Sequence, residues 1–267
     1  MTLLTVDYSR ALVDLLLIEG LTLDGIEVGP WYTPEKITGF RQTLPGFPFY
    51  FHAGSLSSRL NRNKKELNKL QLYLESTQSP WVSFHIELLP LYIYIFGYYF
   101  GIYLSPPESG KAKRQFITLV NKIKEKLGLQ IILENLPSLP LKKYNYAADP
   151  EIITEIVEQT ASAFLLDIAH ARIAATTQNL PVTTYIEKLP LDKTEQIHAS
   201  GVRKENGRLR DAHETMSPED FQLLEWILGK CNPTIVTLEY YRNKRSLREQ
   251  ILSLQGIINN TTIKNFL

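Results

Sequence analysis

The stretch that decides the fold is AFLLDIAHAR, residues 163–172. Its apolar run predicts a buried β-strand ending at Asp167, and His170 follows where that strand passes into the next segment. The D-x-x-H spacing brings a carboxylate and an imidazole to one end of the strand. Other predicted strands end in the same way, with all five histidines of the chain at or just beyond strand ends. The histidines and carboxylates at these other strand ends are His52, His85, Glu134, His198 and Glu239. Asp211 and His213 lie in a further segment of this kind, RLRDAHE, residues 208–214.

Strands and helices alternate along the chain. Two more strands, at residues 3–6 and 25–28, bring the predicted number to eight. Helical spacing of apolar residues predicts helices such as 58–75, 110–127 and 218–228. Eight strands separated by helices predict a parallel sheet closed into a (β/α)8 TIM barrel of the α/β class. With no internal repeat or linker, we expect one domain over residues 1–267.

Such a barrel explains the position of the histidines. The carboxyl ends of its strands meet at one mouth, where active sites lie. Imidazole and carboxylate are the ligands that borderline divalent metals prefer, and iron, zinc and manganese suit them alike. More groups converge here than one ion needs, so we expect two or three ions. The predicted ligands are His52, His85, Glu134, Asp167, His170, His198, Asp211, His213 and Glu239.

Composition excludes several other classes. The formal net charge of +1 gives no electrostatic argument for a nucleic-acid partner. The single cysteine, Cys231, rules out an internal disulfide framework and a cysteine-based zinc site. The N-terminal segment lacks the basic region and cleavage site of a secretory signal, which predicts a cytoplasmic protein.

One uncharged, tyrosine-rich stretch follows the His85 strand, at residues 88–107. Proline and glycine interrupt it, so we expect a loop or helix beside the site rather than a membrane span. Residues 92–103 then form either a self-association surface, which we favour, or the docking site of a partner that delivers a peptide. The competing prediction is a lid folded inward over the ions.

The ordered ligand set resembles that of xylose-isomerase-like TIM barrels. Within them, YIEKLPLDKTEQIHASG (185–201), DAHETMSPEDF (211–221) and TIVTLEYYRN (234–243) are similar to the multinuclear non-haem iron-dependent oxidative enzymes, which include methanobactin-type oxidases. The resemblance implies a barrel holding two or three irons, a peptide substrate modified with O2, and a partner protein that recruits this peptide.

Two departures from that family keep alternatives open. Much of the family has asparagine where this chain has His170, and SFHIELLPLYIYIF (83–96) differs from the usual segment. A histidine at this place also resembles endonuclease IV, a zinc-dependent DNA-repair barrel. A DNA-binding enzyme generally has a basic surface, and the candidate for such a surface in this chain is limited to the cationic side chains of residues 203–210. The alternatives are therefore a zinc-dependent hydrolase or phosphodiesterase, or a sugar isomerase-like enzyme.

Five further residues lie next to predicted ligands or at a strand end facing the same mouth. We expect some of them to contact the substrate or to orient the ligands, as candidate catalytic residues. They are Glu27, Asn135, Arg172, Tyr240 and Arg242.

Overall fold

The computed structural model describes residues 1–55 and 64–264 and contains a closed barrel of parallel strands. Around the barrel the strands follow the order β1-β10-β7-β6-β5-β4-β3-β2. Their bounds are β1 Leu3–Asp7, β2 Gly25–Val28, β3 Phe49–Gly54, β4 Trp81–His85, β5 Gln130–Glu134, β6 Ala163–Asp167, β7 Thr194–Ala199 and β10 Ile235–Leu238. The predicted (β/α)8 barrel is confirmed, whereas its extent as a single domain over 1–267 stays a prediction.

Helices connect the strands and cover the outside of the barrel. They are α1 Arg10–Leu17, α2 Pro34–Thr43, α3 Lys64–Thr77, α4 Leu91–Tyr99, α5 Ser109–Leu127, α6 Pro150–Thr160, α7 Ile168–Thr177, α8 Val182–Ile186, α9 Pro218–Leu228 and α10 Lys244–Lys264, with 3-10 turns at Lys142–Ala148 and Leu191–Lys193. The start of the predicted helix 58–75 lies outside the described residues. The predicted helix 110–127 is α5, which ends at Gly128 in the left-handed conformation, φ +62°.

The inside of the barrel is layered because alternate residues of a strand face the same side. The lowest layer is apolar and contains Tyr50, Trp81, Ile132, Leu165 and Ile235. Two residues further along the strands, a polar layer contains Thr5, Ser83, Gln196 and Thr237, all fully buried. At the carboxyl ends, His85, His198 and Glu239 lie two residues after this polar layer. On β3, β5 and β6, His52, Glu134 and Asp167 lie two residues after the apolar layer. The period of two therefore positions the site at one end of the strands.

One segment differs from the prediction. Residues 201–214 do not form a loop or a barrel strand but an antiparallel hairpin of β8 Gly201–Glu205 and β9 Arg208–Glu214. His213 thus lies near the end of a strand, as expected, but this strand belongs to a two-stranded hairpin outside the barrel and is polar rather than apolar. The turn Asn206–Gly207, with both φ values positive, closes the hairpin as such turns require.

The tyrosine-rich stretch contains the helix α4. Ile93 is buried, whereas Tyr92, Ile95 and Phe96 are exposed, as are Phe100 and Ile102 beyond the helix. In residues 1–55 and 64–264, no helix is long and apolar enough to cross a membrane.

Candidate metal centre

Strand register brings the predicted ligands into neighbouring pairs. His85 of β4 is the register partner of Glu134 of β5, and Asp167 of β6 is the partner of His198 of β7. Because all these strands are parallel, their carboxyl ends lie at one edge of the barrel. Among the described residues, four overlapping groups of donor atoms result, one of which consists of Glu27, His198 and Glu239.

The first group consists of His52, His85 and Glu134. The Nε2 atoms of the two histidines lie 3.3 Å apart, and they lie 3.4 Å and 3.3 Å from Oε2 of Glu134. The opposite ring nitrogens bond to hydroxyls, His52 Nδ1 to Ser83 at 2.9 Å and His85 Nδ1 to Ser55 at 3.2 Å. Both Nε2 atoms are therefore free to bind an ion together with the carboxylate.

A glycine in the left-handed conformation ends β3 beside this group. Gly54 has a φ of +56°, and a Cβ there would lie 3.4 Å from Nε2 of His52 and 3.6 Å from Cε1 of His85. A side chain at position 54 would be strained by this left-handed backbone conformation, whereas its Cβ would make only ordinary van der Waals contact with the two rings.

The second group consists of Glu134, Asp167 and His198, each offering a donor atom within 4.8 Å of the others. His198 Nδ1 faces this group and lies 3.2 Å from Oε1 of Glu239. Its other nitrogen, Nε2, lies 3.0 Å from Oε1 of Glu27. Glu27, one of the residues expected to contact the substrate or to orient a ligand, therefore lies behind His198, where a carboxylate fixes the imidazole tautomer.

The third group consists of Asp7, His213 and Glu239, again with donor atoms within 4.8 Å of one another. His213 reaches it from the hairpin, with a φ of +45°. Its Nε2 lies 3.5 Å from Oδ1 of Asp211, whose Oδ2 lies 3.3 Å from Nε2 of His170. The structure thus brings all nine predicted ligands into one connected cluster.

Asn135 holds two members of this cluster in place. Its side-chain amide donates to the carbonyl oxygen of Asp167 at 3.1 Å and accepts from the Asp167 N–H at 2.9 Å. Its own carbonyl oxygen accepts from Nδ1 of His170 at 2.8 Å. Asp167 also caps α7 by accepting from the His170 N–H at 2.6 Å. Asn135 therefore orients a carboxylate and an imidazole together.

The electrostatics of the cluster fit a bound cation. Buried Oε2 of Glu134, Oδ1 of Asp7 and Oε2 of Glu239 have no hydrogen-bond partner among the described residues. Six carboxylates meet five histidines here, so neutral imidazoles leave a large buried negative charge, which is costly without a counter-ion. Positive ions bound among these oxygens would give them a partner and would balance the buried negative charge.

In the metal-free protein, bound protons compensate part of the buried negative charge. Burial raises the pKa of the Asp167 carboxyl to about 7, against the opposing effect of His170. Burial also opposes a charged His198, but the carboxylates of Glu239 and Glu27 outweigh it and hold its pKa well above the usual value. His52, in contrast, has its pKa lowered to about 4 by burial. The site therefore contains both protonated and proton-free donors near neutral pH.

The other candidate catalytic residues lie elsewhere. Arg172 pairs with Asp220, which caps the start of α9, rather than with a member of the cluster. Tyr240 is buried, and its hydroxyl accepts from the Asn243 N–H at 3.3 Å. Arg242 braces the hairpin from outside: it donates to the carbonyl oxygen of Ala212 at 2.6 Å and pairs with Glu214 at 2.7 Å.

Sequence reasoning missed two residues of the site. Asp7 ends β1 and is the register partner of Glu27. Its signal was the same as that of the predicted ligands, an apolar run, LLTV, closed by a carboxylate. Gln196 donates to Glu27 at 2.6 Å and to Thr237 at 2.8 Å, so it fixes the carboxylate behind His198. An amide two residues before a ligand carries no comparable signal.

Comparison with known proteins identifies the family of the chain. A family model described as "RiPP precursor modification enzyme MbnB/TglH/ChrH" matches residues 31–259, where RiPP stands for ribosomally synthesised and post-translationally modified peptide. A UPF0276 protein from Psychromonas ingrahamii is 29% identical over 194 residues, which cover 70% of this chain and 67% of the relative. The family resemblance expected from the sequence is thereby confirmed.

Solved structures share the fold. A D-tagatose 3-epimerase-like protein has a TM-score of 0.64 at 17% identity, covering 98% of this chain and 99% of its own. An AP endonuclease, family 2, from Brucella melitensis has a TM-score of 0.57 at 15% identity, covering 92% and 96%. Both likenesses support the xylose-isomerase-like barrel and, at these identities, nothing about the reaction.

Proposed function

We propose, on the premise that the chain belongs to the family of RiPP precursor modification enzymes MbnB/TglH/ChrH, that it is an iron-dependent oxidative enzyme acting on a ribosomally made peptide. Membership of this family and the donor groups make the chain a metal-dependent enzyme with a peptide substrate. Iron as the metal, two or three ions as their number and the use of O2 belong to the proposal.

The observation that carries the proposal is the composition of the first group. His52, His85 and Glu134 are two imidazoles and one carboxylate, the donor set that non-haem iron oxygenases use with further positions left open. Glu134 also belongs to the second group, and Glu239 links His198 to the third. Carboxylates shared between groups favour neighbouring ions rather than isolated ones.

Iron bound in this way would supply the chemistry with O2 that amino-acid side chains lack. The residues of the chain contribute orientation and proton control. Ser83 and Asn135 each hold one ring nitrogen of a histidine, so that the other nitrogen faces the ions. Glu27, held by Gln196, stabilises a proton on Nε2 of His198 and leaves Nδ1 for metal binding.

The alternative is a zinc-dependent phosphodiesterase of the endonuclease IV type. What favours it is His170, whose Nε2 faces Asp211 as an additional imidazole donor. Against it stands the hairpin that carries the candidate basic surface. Arg203 pairs there with Glu214, and Arg210 with Glu205, so part of the positive charge is neutralised within the hairpin. A sugar isomerase-like activity has only the shared fold in its favour.

A metal exchange experiment separates these functions. Protein purified without oxygen is loaded with Fe²⁺ or with Zn²⁺ and mixed with a library of cysteine-containing hexapeptides. We expect O2 uptake and a mass change of the peptides with iron and neither with zinc, and we expect Glu134→Ala to abolish both. Hydrolysis of bis(4-nitrophenyl) phosphate by the zinc form, without O2 uptake by the iron form, would favour the phosphodiesterase.

A further inference from the structure

A cleft of about 490 Å³ opens directly beside the third donor group. Asp7 and His213 line it, so one part of the cleft belongs to the candidate metal centre. The remaining lining residues follow three neighbouring strands. Tyr8 and Arg10 come after β1, Trp31 and Tyr32 after β2, and Tyr241 after β10. These strands are neighbours in the barrel, so the cleft is a continuous surface that leads away from the candidate metal centre.

Aromatic side chains make the walls of this cleft, and several are fixed by their neighbours. Tyr8 stacks on Phe40 with ring centroids 3.7 Å apart, and Tyr32 contacts both rings edge-on at 5.5 Å and 5.0 Å. Trp31 lies over Gly29, where a Cβ would come within 2.0 Å of its ring. Trp31 remains 59% exposed and Tyr241 49% exposed. Large exposed rings on a rigid base are typical of surfaces that bind other molecules.

The cleft also contains one permanent positive charge, that of Arg10. Arg10 is the first residue of α1, is exposed, and has no ion-pair partner within residues 1–55 and 64–264. The metal end of the cleft carries Asp7, so the charge changes sign along its length. A ligand that fits this pattern has a metal-binding group at one end, an apolar or aromatic group in the middle and an anion at the other end.

We propose that this cleft binds the peptide segment next to the modified residue, with an apolar side chain against Trp31 and Tyr241 and a carboxylate at Arg10. The proposal rests on the proposed function, because it takes the substrate to be a peptide. The carboxylate comes either from the end of the peptide chain or from an acidic side chain. Arginine serves both, since its planar guanidinium binds a carboxylate through two parallel hydrogen bonds.

Peptide binding under argon tests this without turnover. The probes are four fluorescein-labelled pentapeptides, measured by fluorescence anisotropy with the protein as purified. Gly-Gly-Phe-Cys-Gly with a free carboxyl end is compared with its amide, and amidated Gly-Gly-Phe-Cys-Glu with amidated Gly-Gly-Phe-Cys-Gln. We expect the acidic member of at least one pair to bind about fivefold more tightly than its neutral counterpart, the effect of an exposed ion pair. The pair that shows the preference identifies the source of the carboxylate.

Matched variants assign the effect to the cleft. We expect Arg10→Gln to remove the preference, Arg10→Lys to retain part of it, and Trp31→Ala to weaken all four peptides. Lys36→Gln, at an exposed cation of α2 that does not line the cleft, is the control and should change nothing. Equal binding of acidic and neutral peptides, or an unchanged preference in Arg10→Gln, overturns the proposal even if the iron form consumes O2. Acid-selective binding without O2 uptake would instead contradict the proposed function alone.

Discussion

Nδ1 of His170 lies 2.8 Å from the carbonyl oxygen of Asn135. A carbonyl oxygen only accepts hydrogen bonds, so Nδ1 carries the proton and Nε2 is left to bind an ion. Nδ1 of His52 bonds at 2.9 Å to the hydroxyl of Ser83, which can donate or accept and therefore orients the ring without fixing its tautomer. The donor atoms of the cluster are therefore oriented by residues that do not themselves face the ions, and these residues can be changed without removing a ligand.

Ser83→Ala removes the partner of His52 Nδ1. We expect affinity for one ion to fall about 10–100-fold, because a freed imidazole loses its orientation. Metal content after dialysis, measured by inductively coupled plasma mass spectrometry, checks this. Ser79→Ala is the control, because Ser79 is also buried beside β4 but bonds to Trp81 and Phe51 at the opposite end. It should cost about 1 kcal/mol of stability and no metal; equal metal loss in both variants would refute the role of Ser83.

Arg242→Ala removes the two contacts that brace the hairpin beside His213. We expect weaker binding of the ion in the third group, by about tenfold, with the first group unaffected. Titration with Fe²⁺ under argon measures this, and Arg245→Ala is the control because Arg245 pairs with Glu249 on the surface of α10. An Arg242→Ala protein with three unchanged binding constants would show that the hairpin needs no brace.

Metal affinity should rise with pH. Metal binding requires deprotonated ligands. Asp167, with its pKa raised to about 7, and His198, with its pKa well above the usual value, must lose protons, whereas His52, with a pKa near 4, is already free. Between pH 6 and pH 7 we expect metal affinity to increase by at least about tenfold, because each proton that the metal displaces raises the affinity by up to about tenfold per pH unit. Chelator competition at pH 6, 7 and 8, corrected for the protons of the chelator, measures this. A pH-independent affinity would mean that these groups are unprotonated before the metal binds.

The exposed aromatic surface of residues 92–103 stays a prediction of self-association. Phe96→Glu should convert a dimer into a monomer, because it places a charge among exposed apolar side chains. Leu72→Glu, at an exposed leucine of α3, is the control. Light scattering gives the mass. A wild-type monomer whose 92–103 amides are strongly protected from hydrogen exchange would support the inward lid, and a monomer without such protection would leave the partner protein as the occupant.

Sequence patterns predicted most of the barrel and the cluster because both depend on local periodicity. Strands that end in His85, Glu134 and Asp167 are visible as apolar runs, and parallel pairing then brings their ends together. The hairpin was not predicted because RLRDAHE has no apolar alternation, and its position depends on contacts with Arg242 and α7. Arg172 was misplaced for a related reason. Helical periodicity predicts which side of α7 Arg172 lies on, but it does not predict the ion-pair partner. That partner, Asp220, is 48 residues further along the chain.

We propose that Glu134 and Glu239 hold together a polynuclear iron centre. The most direct test of this proposal is the number of iron ions per chain in protein purified without oxygen, with an absorption spectrum recorded on adding air. We predict two or three irons and a spectral change for the wild type. Glu134→Ala, Asp167→Ala and Glu239→Ala should each retain fewer ions than the control Glu158→Gln, whose side chain is exposed on α6. A single ion per chain, or a full complement in the three carboxylate variants, would contradict the account.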